Sequence, residues 1–547
     1  MSTLIYNANI YCSRGNFAQA VLIENGIIRA VGTNEALLAL APADAERYDA
    51  DGRTIVPGFN DSHMHLQTVG ELLGSIQLLG ATGIGDVRDR IRAFIEKNHP
   101  APGSVLYGMG WNQDYFTDEP RLLRSADLDE VSTEYPIILE RACGHILVAN
   151  TAAIQKAGIT NDTAPVPGGA IDHDESGVLT GIFRENATQQ ILCIRPERTV
   201  ERVAESLRLA MRHAAEWGVT SVQTMDVRPA DWRTTLAAYR EVQKDAPTLR
   251  IYHQCNFMTP EGYREFLDEG YRTGDGDAFN RIGPLKIFVD GSLGARTALM
   301  RRPYHDDPST CGIGTLTQAQ FNELVKMAVD NHCQVVTHAI GDGAIELVLN
   351  GYDTVLPREA ASAGGSTKKN PLRLGVVHCQ ITDMPLLQRF ADHDILALVQ
   401  PIFLHYDTTI VEERVGKALA STSYAFETLR KMGVHESFGT DSPVEDLNPF
   451  HNLYCAVTRK RLDGTPEGGF YPSECMDIYD AVDAYTKESA YVSFDEKVKG
   501  RIAEGYYADL VVLDRNIFSV PSDEIKDIQA VATMVDGRFV YRNAQLS

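Results

Sequence analysis

The sequence lacks the features that mark several classes of protein. It has no cluster of Lys and Arg, and its formal net charge of -23 argues against a nucleic-acid partner, because phosphate contacts need basic side chains. The longest apolar run, ILALVQPIFL (395–404), contains Gln and Pro and is too short for a membrane span. No basic segment followed by an apolar one opens the chain, so no signal peptide is predicted. We therefore expect a cytoplasmic protein that acts on a small molecule.

Cysteine spacing also excludes a class. The nine cysteines include no CxxC pair. An odd number without framework spacing predicts buried thiols in a reducing compartment, and argues against a disulfide or zinc-ribbon scaffold. With 547 residues, 44% hydrophobic and 23% charged, the chain has the composition of a globular protein and the length of one large barrel with a satellite, or of three ordinary domains.

The two ends of the chain have a similar pattern of short β-like runs and turns. Near the amino end, AVLIENGIIRAVG contains Asn25 and Gly26, a pair typical of a two-residue hairpin turn. Near the carboxyl end, AVATMVDGRFVYRN contains an analogous turn at Asp536 and Gly537. Residues 1–57 and 498–547 are therefore predicted to form one composite β-sandwich domain.

Between the ends, apolar β-like runs alternate with helical periodicity, which is typical of parallel βα units. Eight such runs are TIVPGFNDSHMH, GVTSVQTMD, LRIYHQCNF, PLKIFVDG, QVVTHAIGD, LRLGVVHC, ILALVQPIF and VHESFGTDS. Helical patterns such as TQAQFNELVKMAVDNH and SYAFETLRKMG follow most of them. The pattern predicts an α/β fold with a TIM (β/α)8 barrel over residues 58–497.

One connection in this barrel is much longer than the others. A large insertion, residues 70–218, separates strands one and two, with a helix in DVRDRIRAFIEKNH, a strand in PIILERACGH and a Gly- and Pro-rich loop, TAPVPGGAIDHDESG. An insertion that follows a barrel strand lies at the carboxyl face, where barrel active sites form. We expect it to cap the site. The polar segment 361–370 is predicted to be a surface loop.

Polar residues interrupt the apolar strands near their carboxyl ends. His63 and His65 are two apart at the end of the first strand, so their side chains point the same way. Later strands contribute a lysine, two more histidines and an aspartate, which would be costly to bury without a partner. If the barrel closes, these side chains converge on one axis: His63, His65, Lys286, His338, His378 and Asp441.

This set predicts a binuclear metal centre. One ion is held by His63, His65 and Asp441 and the other by His338 and His378. Lys286 lies between them, since its neutral amine can add CO2 to give a bridging carbamate. Histidine with oxygen ligands suits Zn²⁺, with manganese, iron and cobalt as alternatives. Such ions turn water into a hydroxide nucleophile, and the Asp441 carboxylate passes its proton to the leaving group.

The sequence resembles the amidohydrolase superfamily, and within it the YtcJ-like proteins of amidohydrolase family 3, which include N-substituted formamide deformylases and AepA-type regulatory proteins. The segments that carry the resemblance are PGFNDSHMHL, GWNQDYF, RACGHILVAN, GVTSV, KIFVDGSLGARTA, VVTHAIGDGA, GVVHCQ, QPIFLHYD, GTDSPVEDLNPF and EGYYADLVVLD. They span nearly the whole chain in the family's order. The resemblance implies a metal-dependent barrel with a composite β-sandwich, and hydrolysis of a C–N bond in a small N-substituted amide or N-acyl compound.

The resemblance also implies substrate contacts outside the metal ligands. It suggests that His145 polarises the substrate carbonyl, although a hydrogen-bonded core histidine is the alternative. Trp111 and Tyr115 either line the substrate pocket or pack in a core. Arg184 and Arg296 either hold a carboxylate or amide oxygen of the substrate or form structural ion pairs.

Other functions remain open at the level of the sequence. A mononuclear deaminase of the same superfamily needs a glutamate near the histidines of strands five or six, and the nearest one, Glu346, is eight residues beyond His338. Hydrolysis of an ester, lactone or phosphotriester at the same centre is a further alternative. A catalytically inactive scaffold is disfavoured because all six ligand positions are present. A homodimer is also expected.

Overall fold

The computed structural model describes residues 2–244, 247–356 and 369–543. They form two compact units, one made of Met1–Gln67 and Ala210–Ser547 and the other of Thr68–Leu209. The second unit starts and ends slightly earlier than the predicted insertion, and its capping role stays a prediction. Within the described ranges, no helix combines the length and apolar character that a membrane crossing requires.

Seven short strands precede the first barrel strand: β1 Ser2–Tyr6, β2 Asn9–Ser13, β3 Asn16–Ala18, β4 Ala20–Glu24, β5 Ile27–Gly32, β6 Glu46–Asp49 and β7 Thr54–Pro57. The predicted hairpin at Asn25 and Gly26 is confirmed, because β4 and β5 pair antiparallel with Glu24 opposite Ile27. Both turn residues have positive φ, 51° and 80°, as the tight turn between two strands requires. Four of these strands form a sheet in the order β5-β4-β1-β6.

The first predicted barrel strand is two strands in the structure. After β7 the chain passes Gly58 and continues as β8, Phe59–Met64. β7 pairs with β2 in a sheet of the first unit, whereas β8 opens the barrel. Every residue of β7 and β8 is buried, and a single glycine separates the two strands, so the sequence gives no sign of the change of sheet.

The unit Thr68–Leu209 contains one mixed sheet in the order β13-β14-β12-β11-β10-β9. Its strands are β9 Ile76–Gln77, β10 Leu106–Trp111, β11 Ile137–Arg141, β12 Ile146–Ala149, β13 Gly169–His173 and β14 Leu179–Glu185. The predicted helix and strand of the insertion are present, as Ile84–Asn98 and as β11. The predicted loop TAPVPGGAIDHDESG is partly wrong, because its Gly169–His173 segment pairs with β14.

The barrel strands appear where the sequence predicts them. After β8 they are β15 Val219–Val227, β16 Arg250–Asn256, β17 Asn280–Phe288, β18 Val335–Ala339, β19 Gly375–His378, β20 Leu396–Val399 and β21 Glu436–Phe438. Each pairs in parallel with its sequence neighbour, so the eight strands run in the order β8-β15-β16-β17-β18-β19-β20-β21. The carboxyl ends of all eight therefore lie on one rim.

Hydrogen bonds between the two edge strands nearly close this sheet into a barrel. The N–H of Asp441 donates to the carbonyl of His63 at 2.8 Å, and the N–H of His65 donates to the carbonyl of Ser442 at 2.8 Å. The buried carboxylate of Asp61 accepts from the N–H of His63 at 3.1 Å and from the hydroxyl of Thr440 at 2.7 Å. The first and last strands are thereby joined at the level of the predicted metal ligands.

Three strands follow the barrel: β22 Leu510–Leu513, β23 Ala530–Val535 and β24 Arg538–Arg542. They join strands from the amino end in a sheet of order β24-β23-β22-β7-β2-β3, so this sheet contains both ends of the chain. The predicted turn at Asp536 and Gly537 connects β23 and β24. One apolar cluster includes buried residues of both terminal sheets, among them Ile5, Ile55 and Leu510.

The helices are α1 Asn34–Leu40, α2 Leu66–Leu73, α3 Ile84–Asn98, α4 Ser125–Asp129, α5 Thr151–Lys156, α6 Thr188–Leu192, α7 Val200–Glu216, α8 Trp232–Val242, α9 Pro260–Asp268, α10 Gln318–Asp330, α11 Asp342–Tyr352, α12 Met384–His393, α13 Leu404–Asp407, α14 Val411–Val415, α15 Lys417–Ala420, α16 Phe426–Lys431, α17 Pro449–Thr458, α18 Ile478–Asp483 and α19 Ser489–Val492. Both quoted helical patterns form helices. α10 begins at a capping box in which Thr317 and Gln320 exchange hydrogen bonds.

Two further predictions concern the cysteines and the polar segment 361–370. All nine cysteines are free thiols, but only four of them are buried as predicted: three are half-buried, and Cys143 and Cys193 are exposed. The predicted surface loop 361–370 lies outside the described residues except for Lys369 and Asn370. Asn370 is buried, and its amide nitrogen donates to the backbone carbonyls of Leu374 and Asp394.

Candidate metal centre

The six predicted ligands belong to one unit and lie at the carboxyl ends of barrel strands. β8 carries His63, and His65 follows its last residue. β17 carries Lys286 and β18 carries His338, while β19 ends at His378. Asp441 follows β21 and, together with His63, Lys286, His338 and His378, is buried; the side chain of His65 is 15% exposed.

Two imidazole nitrogens converge on the carboxylate of Asp441. Its Oδ1 lies 3.3 Å from Nε2 of His63 and 3.1 Å from Nε2 of His65. Nδ1 of His63 lies 2.6 Å from Oε1 of Gln254, and Nδ1 of His65 lies 3.4 Å from the carbonyl of Met225. Each Nδ1 has an oxygen acceptor of its own, so Nε2 is the nitrogen that faces the carboxylate. A proton or a metal ion between Nε2 and the carboxylate oxygen stabilises this arrangement.

These separations fit coordination of a small divalent ion. Two ligand atoms each about 2.0–2.1 Å from a tetrahedral zinc ion are about 3.3 Å apart. The ligand atoms of His63, His378 and Asp441 lie within 4.8 Å of one another. Imidazole and carboxylate ligands suit zinc, and also manganese, iron or cobalt. The donor chemistry of these residues therefore fits a divalent metal.

His338 and His378 form a second pair of donors. Their ring centroids are 4.5 Å apart, and the ring of His378 lies 5.5 Å from that of His63. Nδ1 of His378 lies 2.7 Å from Oε1 of Gln400, so Nε2 carries its lone pair. His338 has the opposite arrangement, because its Nε2 donates to the carbonyl of Gly291 at 2.9 Å. Its buried Nδ1 has no hydrogen-bond partner in the described ranges, as a nitrogen reserved for a metal would.

Lys286 is buried among these groups as an unpartnered amine. Its Nζ has no hydrogen-bond partner among the described residues and lies 4.7 Å from the ring centroid of Phe288. Burial lowers the pKa of Lys286 to about 7, although Asp441 and Asp290 oppose the shift. Lys286 forms no ion pair with Asp290, four residues further along the chain, because that carboxylate accepts backbone N–H groups, including that of Leu299 at 2.9 Å. A neutral amine is accessible near neutral pH.

Burial controls the charge of the other ligands. It lowers the pKa of His63 to about 4, with a contribution from the Lys286 charge, and lowers that of His378 well below 6.5. Burial alone would raise the pKa of Asp441, but the neighbouring imidazoles of His63 and His65 hold it well below its usual range. At neutral pH, His63 and His378 are therefore neutral and Asp441 is ionised, which are the forms that bind metals.

Two of the ligands have strained backbone. His378 has φ of 77° and Asp441 has φ of 56°, in the left-handed region that side chains rarely adopt. Such strain costs about 1–3 kcal/mol per residue and persists where surrounding contacts hold it. The hydrogen bond between Asp441 and His63 is one such contact.

The two aromatic residues predicted as substrate contacts, Trp111 and Tyr115, lie in different environments. Trp111 is fully buried in the core of the second unit, where its indole N–H donates to the carbonyl of Leu139 at 3.3 Å. Trp111 therefore packs in a core, which is one of the two alternatives that the sequence left open. Tyr115 is 65% exposed, so it does not pack in a core, and its role in substrate binding stays a prediction.

The predicted polar contacts have partners of their own. His145 is exposed in the second unit, with Nδ1 2.9 Å from a carboxylate oxygen of Glu185. It is not a core histidine, and its role toward substrate stays a prediction. The two arginines form the structural ion pairs named as the alternative: Arg184 with Asp172 at 2.7 Å and Arg296 with Asp306 at 2.8 Å.

Sequence reasoning missed the groups that orient the histidines. Gln254, Gln400 and the carbonyl of Gly291 each bind the ring nitrogen opposite the one that faces the centre. The two glutamines interrupt apolar strands as the ligands do, which is a signal the sequence contains. The carbonyl of Gly291 leaves no such signal.

Imidazole and carboxylate groups converge at the carboxyl ends of the strands in this parallel barrel. This arrangement is typical of the metal-dependent hydrolases. The chain belongs to the amidohydrolase family, whose model matches residues 46–541. It is 31% identical over 534 residues to YtcJ of Bacillus subtilis (strain 168), whose name places it among the amidohydrolases, with 97% of each chain covered.

Two further proteins resemble the chain over its length. An N-substituted formamide deformylase of Arthrobacter pascens is 27% identical, with 98% of each chain covered. The solved structure of an uncharacterized metal-dependent hydrolase from Pyrococcus furiosus superposes with a TM-score of 0.76 at 26% identity, covering 95% of this chain and 100% of that one. The protein is therefore a metal-dependent hydrolase acting on carbon–nitrogen bonds.

Proposed function

We propose that the protein hydrolyses the C–N bond of a small N-substituted amide or N-acyl compound. The observation that carries the proposal is the convergence of imidazole nitrogens of His63, His65 and His378 on the carboxylate of Asp441. Hydrolysis of N-substituted formamides by one relative supports an amide substrate. Phe288 and Phe403, which stack against His338 and His378, favour a substrate with an apolar substituent.

The metal-holding residues divide into two sets. His63, His65 and Asp441 would hold one Zn²⁺, and His338 and His378 a second. Divalent ions at these positions would polarise an amide carbonyl and make water more acidic. Asp441 lies where a proton must move: its carboxylate accepts a proton from the attacking water, the C–N bond breaks, and the proton passes to the leaving nitrogen. The products are a carboxylic acid and an amine.

We also propose that Lys286 is carbamylated. Its amine is buried and unpartnered, and its pKa of about 7 leaves a neutral fraction at physiological pH. The neutral nitrogen adds CO2, an N–C bond forms, and one proton is released. The resulting carbamate would supply two oxygen ligands for divalent ions. Protein equilibrated with ¹³C-bicarbonate should give a carbamate carbon signal that Lys286→Ala abolishes; an unchanged spectrum in that variant contradicts the assignment.

The strands near the two ends of the chain lie outside the barrel. We propose that residues 1–57 and 498–547 form a composite β-sandwich. The apolar cluster that contains Ile5, Ile55 and Leu510, drawn from both terminal sheets, supports this organisation.

The deaminase alternative has less support. Glu346, the glutamate nearest in sequence to His338, lies on α11 and pairs with Arg301 at 3.2 Å, with its side chain 46% exposed. It is not held beside the histidine, where a proton shuttle would have to be. Ester and lactone hydrolysis differ from amide hydrolysis only in the leaving atom, so the substrate panel below includes them.

Asp441→Asn tests the catalytic role of the carboxylate. We expect a folded protein whose kcat falls by about 10²–10⁴-fold, because an amide cannot accept the proton. The measurement uses zinc-loaded enzyme with a panel of N-substituted formamides, N-acyl amines, esters and lactones. Asp495→Asn is a matched control, because this buried carboxylate pairs with Arg281 near the amino end of β17. It should lower stability and leave kcat within about twofold.

Amide turnover by the wild-type enzyme, with esters and lactones slower, is the expected specificity. Turnover of esters alone, or near-wild-type kcat in Asp441→Asn, would contradict the proposed function.

A further inference from the structure

Two buried glutamines contact the histidines of the metal centre from behind. Gln254 in β16 and Gln400, which follows β20, are 0% and 2% exposed. Oε1 of Gln254 lies 2.6 Å from Nδ1 of His63, and Oε1 of Gln400 lies 2.7 Å from Nδ1 of His378. The two pairs are equivalent in geometry, although they join different strands of the barrel.

The backbone fixes which way each glutamine amide points. The Nε2 group of Gln254 donates to the carbonyl of Ser62 at 2.9 Å, and that of Gln400 donates to the carbonyl of Leu398 at 3.2 Å. A carbonyl can only accept, so each amide directs its NH2 group to the backbone and its oxygen to the imidazole. An amide oxygen also only accepts, so Nδ1 of each histidine must carry the hydrogen.

We propose that Gln254 and Gln400 are positioning residues that fix His63 and His378 as Nδ1–H tautomers and so present Nε2 to the metal. The inference rests on the proposed function, because it assumes that these histidines bind a cation. Both histidine side chains are buried, so no bulk water can replace the glutamine oxygens.

His338 supports the proposal by contrast, because a different group binds its ring. His338 donates its Nε2 hydrogen to the carbonyl of Gly291 and leaves Nδ1 unpartnered. The group behind each ring therefore decides which nitrogen faces the centre, and the four histidines use Nε2 three times and Nδ1 once. Because amide oxygens are neutral, the two glutamines orient their histidines without adding negative charge that would weaken the ions as Lewis acids.

Zinc affinity tests the proposal apart from turnover. Gln254→Leu and Gln400→Leu remove the acceptor at similar volume and should each weaken Zn²⁺ binding by about 10–100-fold in a chelator competition. Gln254→Glu keeps an acceptor at the same position and should recover most of the affinity lost in Gln254→Leu. The visible absorption of the Co²⁺-loaded leucine variants should also differ from that of the wild type, because ligand orientation changes.

Gln334→Leu is the matched control. Gln334 is also fully buried beside a barrel strand, but its amide bonds the carbonyls of Arg373 and Val492, and its oxygen accepts from Tyr252. This variant should lose stability and keep wild-type zinc affinity. If it loses affinity as much as Gln254→Leu, the effect is general destabilisation and the proposal is overturned.

The histidine tautomers of the wild-type protein test the proposal independently of how the variants fold. Long-range ¹H–¹⁵N spectra of the metal-free chain should show His63 and His378 as Nδ1–H tautomers and His338 as the Nε2–H tautomer; Nε2–H at His63 or His378 would overturn the proposal. Failure of the proposed function is distinguishable, because the wild-type chain would then bind no Zn²⁺. Wild-type affinity in both folded leucine variants would overturn only the role of the glutamines.

Discussion

Buried carboxyl groups in this barrel differ in what surrounds them. Asp441 faces imidazole nitrogens and is ionised. Glu436, the first residue of β21, is 3% exposed, and neither carboxyl oxygen has a hydrogen-bond partner among the described residues. Burial raises its pKa well above 4.5, and the nearby charges of Glu474 and Glu427 raise it further. Glu436 is therefore a neutral acid that destabilises the fold when it ionises.

Glu436→Gln should stabilise the protein increasingly as pH rises. The folded pKa of Glu436 lies above the unfolded value near 4.5, so its favourable contribution is full below that value and is lost as pH rises through the folded pKa. Within this window the gain in unfolding free energy grows by up to about 1.4 kcal/mol per pH unit. Urea denaturation of both proteins between pH 5 and 8 measures it.

Asp86→Asn is the control with the opposite sign. A hydrogen bond from Arg90 lowers the pKa of Asp86, so its contribution is present above the ordinary value of 3.8 and is lost only as pH falls through the folded pKa. The difference between this variant and the wild type should stay flat from pH 5 to 8. A flat difference for Glu436→Gln as well would show that Glu436 is not buried as a neutral acid.

Among the elements, the junction of β8 with the end of β21 most directly shapes the metal centre. Gly439 lies at this junction, and a Cβ atom there would be 2.6 Å from the backbone nitrogen of His63 and 2.9 Å from Oδ1 of Asp61. Only glycine allows the two strands to approach closely enough for the hydrogen bonds between Asp441 and His63 and between His65 and Ser442.

Gly439→Ala should therefore separate the edge strands. We expect a loss of about 1–3 kcal/mol in unfolding free energy, as for other overpacked sites, together with weaker zinc binding because His63 and Asp441 move apart. Gly433→Ala is the control: Gly433 has φ of 79° but open space around a Cβ, so it adds only backbone strain. Chelator competition on both variants separates the effects, and wild-type zinc affinity in Gly439→Ala would contradict the role of the junction.

The elements also show what the sequence could predict. Apolar runs located all eight barrel strands, and the polar residues that interrupt them located the six converging side chains. The division of residues 54–65 into β7 and β8 was missed, because both strands are buried along their whole length and only Gly58 separates them. Gln254 behind His63 was also missed, because that contact depends on the register between β16 and its neighbours, which no local pattern specifies.

At the scale of the whole first unit, a buried ion pair ties the terminal sheets to the barrel. Arg250 opens β16 and donates to both carboxylate oxygens of Asp509, at 2.6 Å and 3.1 Å. The guanidinium also lies 3.9 Å from the ring centroid of Tyr507. Burial alone would lower the pKa of Arg250, but the charge and hydrogen bonds of Asp509 hold it above its ordinary value. Asp509 directly precedes β22, so the pair joins the barrel to the sheet that contains β22.

Asp509→Ala should leave a buried guanidinium without its partner and cost about 3–5 kcal/mol of unfolding free energy. Chemical denaturation followed by tryptophan fluorescence measures this loss. Glu265→Ala, which breaks the exposed pair with Arg233, is the control and should change stability little. Equal losses in the two variants would mean that Arg250 and Asp509 contribute no more than a surface pair.

The central claim is that barrel closure brings His63, His65 and Asp441 around one divalent ion and His338 and His378 around a second. Anomalous diffraction at the zinc edge, from crystals of the metal-loaded wild-type protein, tests it most directly. The account predicts a peak within about 2.2 Å of Nε2 of His63 and of a carboxylate oxygen of Asp441, with a second peak at His338 and His378. Zinc bound elsewhere, with these side chains free of metal, would contradict it.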